Sequence, residues 1–171
     1  MSGQAPDPMV TSAELSTDQT YRYQLGRFWS GLGAVATFIM LNPSTADAHV
    51  DDPTIRRCIG FAKSWGCGGL RVVNLYALRS TDPRNLWTHP DPVGPDNDIC
   101  LGATAMQTSG SGAPLVAAWG AHAKADRVKQ VLEILQGQRL QCLGVTKSGA
   151  PRHPLYIASA TALTDYPGAT S

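Results

Sequence analysis

No run of about 18 or more apolar residues occurs in this 171-residue chain, so its sequence predicts no membrane-spanning helix. The opening MSGQAPDPMVTSAEL has neither the basic start nor the apolar core of a signal peptide, and the expected compartment is the cytoplasm. Cysteine is scarce. Cys58, Cys67, Cys100 and Cys142 form no CxxC pair and have no histidine at ligand spacing, which disfavours a zinc or iron–sulfur site. In a reducing compartment they are expected as small buried hydrophobes. Also missing are a GxGxxG dinucleotide signature, a GxxxxGK[ST] phosphate loop and a GxSxG elbow. No cofactor or metal is therefore expected. Excess charge of one sign is missing too, because 14 basic against 13 acidic residues leave a net charge of +1. The total does not advertise a broad phosphate-binding surface.

The chain does have 43% hydrophobic residues, enough to bury the core of one domain without disulfides or a structural metal. Residues 1–18 are small, polar and aperiodic, and read as a flexible tail; residues 19–171 read as a single α/β domain. YRYQLGRFWS alternates like a half-buried strand at a sheet edge, as an N-terminal edge strand or hairpin. AVATFIML, LRVVNLYAL, PLVAAWG and LQCLGVT are near-continuous apolar runs, the signature of strands buried on both faces. Helices are expected over 52–65, with Asp52 as cap and Pro53 in the first turn, over 96–108, and over 121–137, where Val128, Val131, Leu132 and Leu135 make one stripe. Strands alternating with helices predict a three-layer α/β/α fold around a central, mainly parallel four-stranded sheet.

Ligands of such sheets bind beyond the carboxyl ends of the strands. That rule directs attention to LNPSTAD, VVNLYALRSTDP, AAWGAH and KSGAPRHPLY, each of which follows a predicted strand. Asn42 offers a donor and an acceptor, Pro43 stiffens the chain after it, and Ser44 adds a hydroxyl; the same residues also suit a plain turn. Asn74 places an amide in an apolar strand, where it either satisfies neighbouring backbone or reads a planar ligand. Gly120 permits close approach at a strand-to-helix turn, whereas Trp119 reads as core and His122 as surface. His153 can donate to a developing anion, and Arg152 can hold phosphate or carboxylate. Arg79, Arg84, Lys147 and Arg152 fall in or near these loops, leaving a local positive rim and scattered solvated charge both open.

Together YRYQLGRFW, LNPSTAD, DDPTIRRC, VVNLYALRSTDP, DPVGPDND, AAWGAHA and GAPRHPLY resemble a bacterial and phage family described as a conserved domain of unknown function, over residues 19–166. A looser resemblance is to the uracil-DNA glycosylase superfamily, through the order of four strand-end motifs. LNPS is similar to the first motif of its mismatch-specific branch, which implies that Asn42 positions an attacking water. VVNLYAL is similar to the strand whose asparagine reads the base, implying that role for Asn74. LVAAWGAHA is similar to the strand-to-helix segment of the superfamily. RHPLY is similar to its HPS motif, which implies that His153 stabilises the departing base as an anion. Ser44 stands where glycine is usual, Leu155 where serine is usual, and no carboxylate stands at Asn42.

These resemblances imply a nucleobase- or nucleotide-directed enzyme that hydrolyses an N-glycosidic bond or processes a modified base in DNA. Asn42 and His153 would be catalytic; Pro43, Ser44, Asn74, Gly120, Arg79 and Arg152 would bind substrate. The expected partner is nucleic acid or a nucleotide, and no membrane. The alternative is a noncatalytic module that holds a nucleotide or nucleic-acid end in the same cleft. A third reading is an unrelated hydrolase that uses Asp47 or Asp51 with His153. Nothing in the sequence fixes the oligomeric state.

Overall fold

The computed structural model of the protein describes residues 8–44 and 49–170. Seven strands form one sheet in the order β1-β2-β4-β3-β5-β6-β7. They are β1 (Val10–Leu15), β2 (Arg22–Phe28), β3 (Val35–Met40), β4 (Gly69–Asn74), β5 (Leu115–Ala117), β6 (Gln141–Cys142) and β7 (Thr164–Asp165). The pairs β4·β3, β3·β5 and β5·β6 are parallel, and β1·β2, β2·β4 and β6·β7 are antiparallel. Helices α1 (Pro53–Ser64), α2 (Asn97–Gly110) and α3 (Ala125–Ile134) supply the crossovers. No helix among the described residues is long and apolar enough to cross a membrane.

Pleating sorts the core into two clusters. Ala36, Phe38 and Met40 of β3, with Leu70 and Val72 of β4 and Val116 of β5, pack against Ile55, Cys58, Ile59 and Ala62 of α1. The alternate residues Ile39, Val73, Leu115 and Ala117 pack with Leu101 and Ala105 of α2 and Val131 of α3. Apolar side chains thus leave both faces of the central strands, which explains why these segments read as continuous hydrophobic runs. Helix α1 starts where Asp52 and Pro53 direct it, with Asp52 Oδ1 accepting from the Ile55 amide at 2.8 Å. Gly66, at φ +75°, carries the chain out of the helix.

The N-terminal expectation needs correction. Val10–Leu15 is not a tail but an edge strand, paired residue by residue with β2. Consequently β2 is not at the edge: it lies between β1 and β4, and Tyr23, Leu25 and even Arg27 are buried. Arg27 survives there because Asp51 accepts from its Nε at 2.7 Å and the Gly26 carbonyl accepts from Nη1 at 2.8 Å. At the other side β6 is shorter than the apolar run LQCLGVT suggested. Gly144 turns at φ +93°, and Thr146–Ala150 closes a tight turn through the Thr146 amide on the Ala150 carbonyl at 2.7 Å. That turn swings Arg152 and His153 back toward the sheet.

Candidate functional site

A cleft of about 580 Å³ opens beyond the carboxyl ends of β3, β4 and β5. Parallel strands make it, because each delivers its following loop to the same edge of the sheet. From the loop after β3 come Asn42, Pro43 and Ser44; from the end of β4 comes Asn74; from the loop after β5 comes Gly120; from the loop after β6 come Arg152 and His153. Seven of the eight residues singled out from the sequence therefore meet in one cavity.

Asn74 ends β4 opposite Met40 of β3. It continues the period of Leu70 and Val72, so its side chain leaves the α1 face of the sheet, just past the point where Ile55 begins to cover that face. It is 2% exposed, yet Oδ1 has no hydrogen-bond partner. Buried amide oxygens are normally satisfied, so an orphan one on a cleft wall marks a place where something else donates. The Oδ1 of Asn97 is also buried without a partner, but Asn97 does not line the cleft. Its Nδ2 donates to the Asn74 and Leu75 carbonyls at 3.0 and 3.2 Å and so completes the end of β4, a structural amide that the sequence did not single out.

Asn42 is held differently. Its Nδ2 donates to the carbonyls of Pro43, Leu78 and Ser80 at 3.1, 3.4 and 3.0 Å. Three surrounding carbonyls fix which end of the amide is NH₂. The donor half of Asn42 thus ties the loop after β3 to the loop after β4, and only the carbonyl half remains for a ligand or water. Ser80 reinforces the tie, its amide donating to the Pro43 carbonyl at 3.0 Å.

His153 Nδ1 accepts from the Leu155 amide at 3.2 Å, capping the short 3-10 helix Pro154–Tyr156. A nitrogen that accepts carries no proton, so the neutral ring bears its proton on Nε2 and presents a donor. Burial pushes the His153 pKa below its ordinary value against an opposing pull from Asp52, which favours this neutral form. Gly120, at φ +76°, lets the two loops touch: a Cβ there would stand 3.8 Å from that of His153, and its amide donates to the Pro151 carbonyl at 3.0 Å. Arg57 of α1 clamps the far side by donating to the Ile157 carbonyl.

Arg79 is the exception among the eight. It does not line the cleft; its Nη1 donates to the Gln19 carbonyl at 3.1 Å and its amide to the Thr20 carbonyl at 3.1 Å. The loop after β4 doubles back onto the β1–β2 turn, which carries Arg79 away. The arginine that joins Arg152 in the cleft lining is instead Arg22, 6% exposed, whose pKa is pushed down to about 10 by burial and then by the charge of Arg79. It stays protonated at neutral pH. Its strand YRYQLGRFW was legible, but not which of its side chains would reach the cleft. Arg152 lies at the rim with its stem across Gly144 and its Nε donating to the Val145 carbonyl at 3.1 Å.

Two further side chains went unassigned. Asp52 lines the cleft as well as capping α1, and its Oδ2 accepts from Ser44 Oγ at 3.2 Å. Tyr156 stands at the mouth, 82% exposed, its ring centroid 6.0 Å from that of His153. Trp119 is core, 2% exposed and edge-on to Tyr166 at 5.5 Å, while His122 is exposed at the cleft wall. The unrelated-hydrolase reading loses Asp51, which is committed to Arg27; Asp47 lies outside the described residues.

A family model described as "Protein of unknown function (DUF1643)" matches residues 22–155. That span runs from the first residue of β2 to the residue after Pro154, and so takes in the cleft lining from Arg22 to His153 but not Tyr156 or Ile157. No curated protein and no solved structure matches the chain.

Proposed function

The chain belongs to the DUF1643 family, and we propose that its cleft is a nucleobase-directed active site on a uracil-DNA glycosylase-like three-layer α/β/α fold with a four-stranded parallel core. The single observation that carries the reading is the side-chain Oδ1 of Asn74, buried without a partner on the wall of a cleft large enough for a nucleotide. A planar base supplies what that wall lacks, an N–H beside a carbonyl in one plane. In the reaction we assign, a base flipped out of its stack enters the cleft and Asn74 reads its edge. Water hydrogen-bonded to the Asn42 side-chain carbonyl attacks the anomeric carbon, the N-glycosidic bond breaks with its electron pair staying on the base, and the proton shed by the water ends, through solvent, on the departed base. His153 Nε2–H donates to that anion, stabilising charge that exists only as the bond breaks. Arg152 at the rim and Arg22 within the cleft favour an anionic, phosphate-bearing substrate.

One observation favours the noncatalytic alternative. The carboxylate in the cleft, Asp52, already accepts from the Ile55 amide and the Ser44 hydroxyl, so it is not an uncommitted base for the water. The deciding experiment is a panel of oligonucleotides carrying uracil, hypoxanthine or hypermodified bases, scored for abasic sites with binding measured in parallel. Abasic product establishes the enzyme. Saturable binding without product establishes the module, and neither result on any substrate removes the nucleobase reading.

A further inference from the structure

Three successive strand-end loops place aromatic rings and cations around the mouth of the cleft. After β6, Tyr156 projects with 82% of its surface exposed, in the loop that also brings Arg152 to the cleft. After β4, the 3-10 helix Pro83–Trp87 starts at the cleft, where Pro83 is part of the lining, and ends at Trp87, 37% exposed and edge-on to Tyr76 at 5.4 Å. After β5, His122 reaches the cleft and Lys124 follows, its Nζ 4.8 Å from the centre of the Trp87 ring and its amide donating to Tyr76 Oη at 3.3 Å. All three loops leave the same edge of the parallel strands, and the cleft-lining Pro83 and His122 stand four residues from Trp87 and two from Lys124 in the chain.

The cations there outnumber their partners. Arg84 is spent on Asp82 at 2.7 Å, but neither Lys124 nor Arg152 forms a salt bridge among the described residues. Exposed rings interleaved with unpaired cations are the pattern by which unpaired nucleic-acid strands are held, bases stacking on rings while cations follow the phosphates. A free nucleotide has one base and would occupy the cleft alone, leaving Trp87 and Lys124 unused. A duplex hides both faces of its bases and offers nothing to stack.

Resting on the nucleobase reading of the cleft, we propose that its rim, formed by Tyr156, Trp87, Lys124 and Arg152, binds single-stranded nucleic acid. Neighbours of the base in the cleft stack outward on Tyr156 and Trp87. The ligand class is thus a strand, not a mononucleotide and not intact duplex.

Fluorescence anisotropy with labelled oligothymidylate of about a dozen residues tests this, alongside its duplex with oligoadenylate and unlabelled thymidine monophosphate as competitor. The single strand should bind at least about tenfold more tightly than the duplex, and the monophosphate should compete weakly. Tyr156→Ala and Trp87→Ala should each weaken strand binding about tenfold, while Tyr156→Phe and Trp87→Phe keep it, because stacking needs the ring and not its polar atom. Tyr156 touches little, so its variant folds whatever Trp87→Ala does to the packing on Tyr76. Wild-type affinity in Tyr156→Ala, or tighter binding of the duplex or the monophosphate, overturns the inference. Asn74→Ala separates it from the reading of the cleft: loss of strand binding there with Tyr156→Ala unaffected defeats the rim and keeps the cleft. The reverse pattern keeps the rim and defeats the cleft, and absence of any strand binding defeats the rim outright.

Discussion

Replacing Asn74 with leucine should make the protein more stable and useless. The side chain is 2% exposed and its Oδ1 has no partner, so folding removes a carbonyl oxygen from water and returns nothing. An unsatisfied buried polar group costs about 1–3 kcal/mol, and leucine has the same branched outline without the polar atoms. The Asn97 bonds are untouched, since they go to the backbone carbonyls of Asn74 and Leu75. The gain expected is about 1 kcal/mol, because some of the benefit is lost fitting the larger side chain against Met40 and Val72. In a domain of this size that raises Tm by about 2–4 °C. Affinity for the oligonucleotide bound by wild type should fall at least about tenfold, the loss expected when a bidentate base contact disappears. Urea and thermal unfolding of Asn74→Leu and Asn74→Ala, with binding titrations on the same samples, read both quantities. A Tm that drops by several degrees while affinity holds would mean that Asn74 is a structural amide and that the cleft reading has lost its main support.

Asp51→Ala should cost about 3 kcal/mol in urea unfolding, because it strands the fully buried Arg27 guanidinium without its carboxylate; a loss near zero would refute the pairing. Removing residues 1–16 should lower Tm and promote association, since it strips β1 and bares β2 as a new edge; light scattering and melting identical to the full chain would restore the tail reading. Asp52→Ala should destabilise by about 1 kcal/mol through the lost cap, whereas Asp52→Asn, which caps as well, should unfold like wild type. His153 has its pKa lowered by burial, so the unfolded chain binds its proton more readily than the folded one. Its contribution to stability is present above the ordinary histidine value near 6.5 and is lost as pH falls through the lower folded value. His153→Gln should flatten the pH dependence of stability in that window, and an unchanged slope would contradict the burial argument.

The convergence of Asn42, Asn74, Gly120 and His153 was legible because it follows from topology: apolar runs alternating with amphipathic segments imply parallel strands, and parallel strands gather their exits at one edge. What escaped depends on partners far away in sequence. VTSAEL in β1 has too little apolar alternation to announce itself, and it is a strand because β2 pairs with it. Arg27 falls on the same side of its strand as Tyr23 and Leu25, and its burial is not legible locally because its carboxylate lies 24 residues on. The donor half of Asn42 is bound by carbonyls 36 and 38 residues away, which no local pattern encodes. Arg79 was misplaced for the same reason, since the chain after β4 folds back onto Gln19 and Thr20. The short β6 reflects a glycine and a tight turn that cut into an otherwise strand-like run.

The most direct test of the central claim is turnover and dissociation constant, measured together for wild type, His153→Ala and Asn42→Ala on the oligonucleotide that yields abasic product. A donor aimed at an anion that exists only in the transition state acts on rate and not on ground-state binding. His153→Ala should therefore lose about a hundredfold in turnover with its dissociation constant nearly unchanged. Asn42→Ala should behave in the same way, because a positioned water adds little to affinity. Loss of affinity in proportion to rate in both variants, or no abasic product from wild type on any base in the panel, would contradict the enzyme and leave a cleft that only binds.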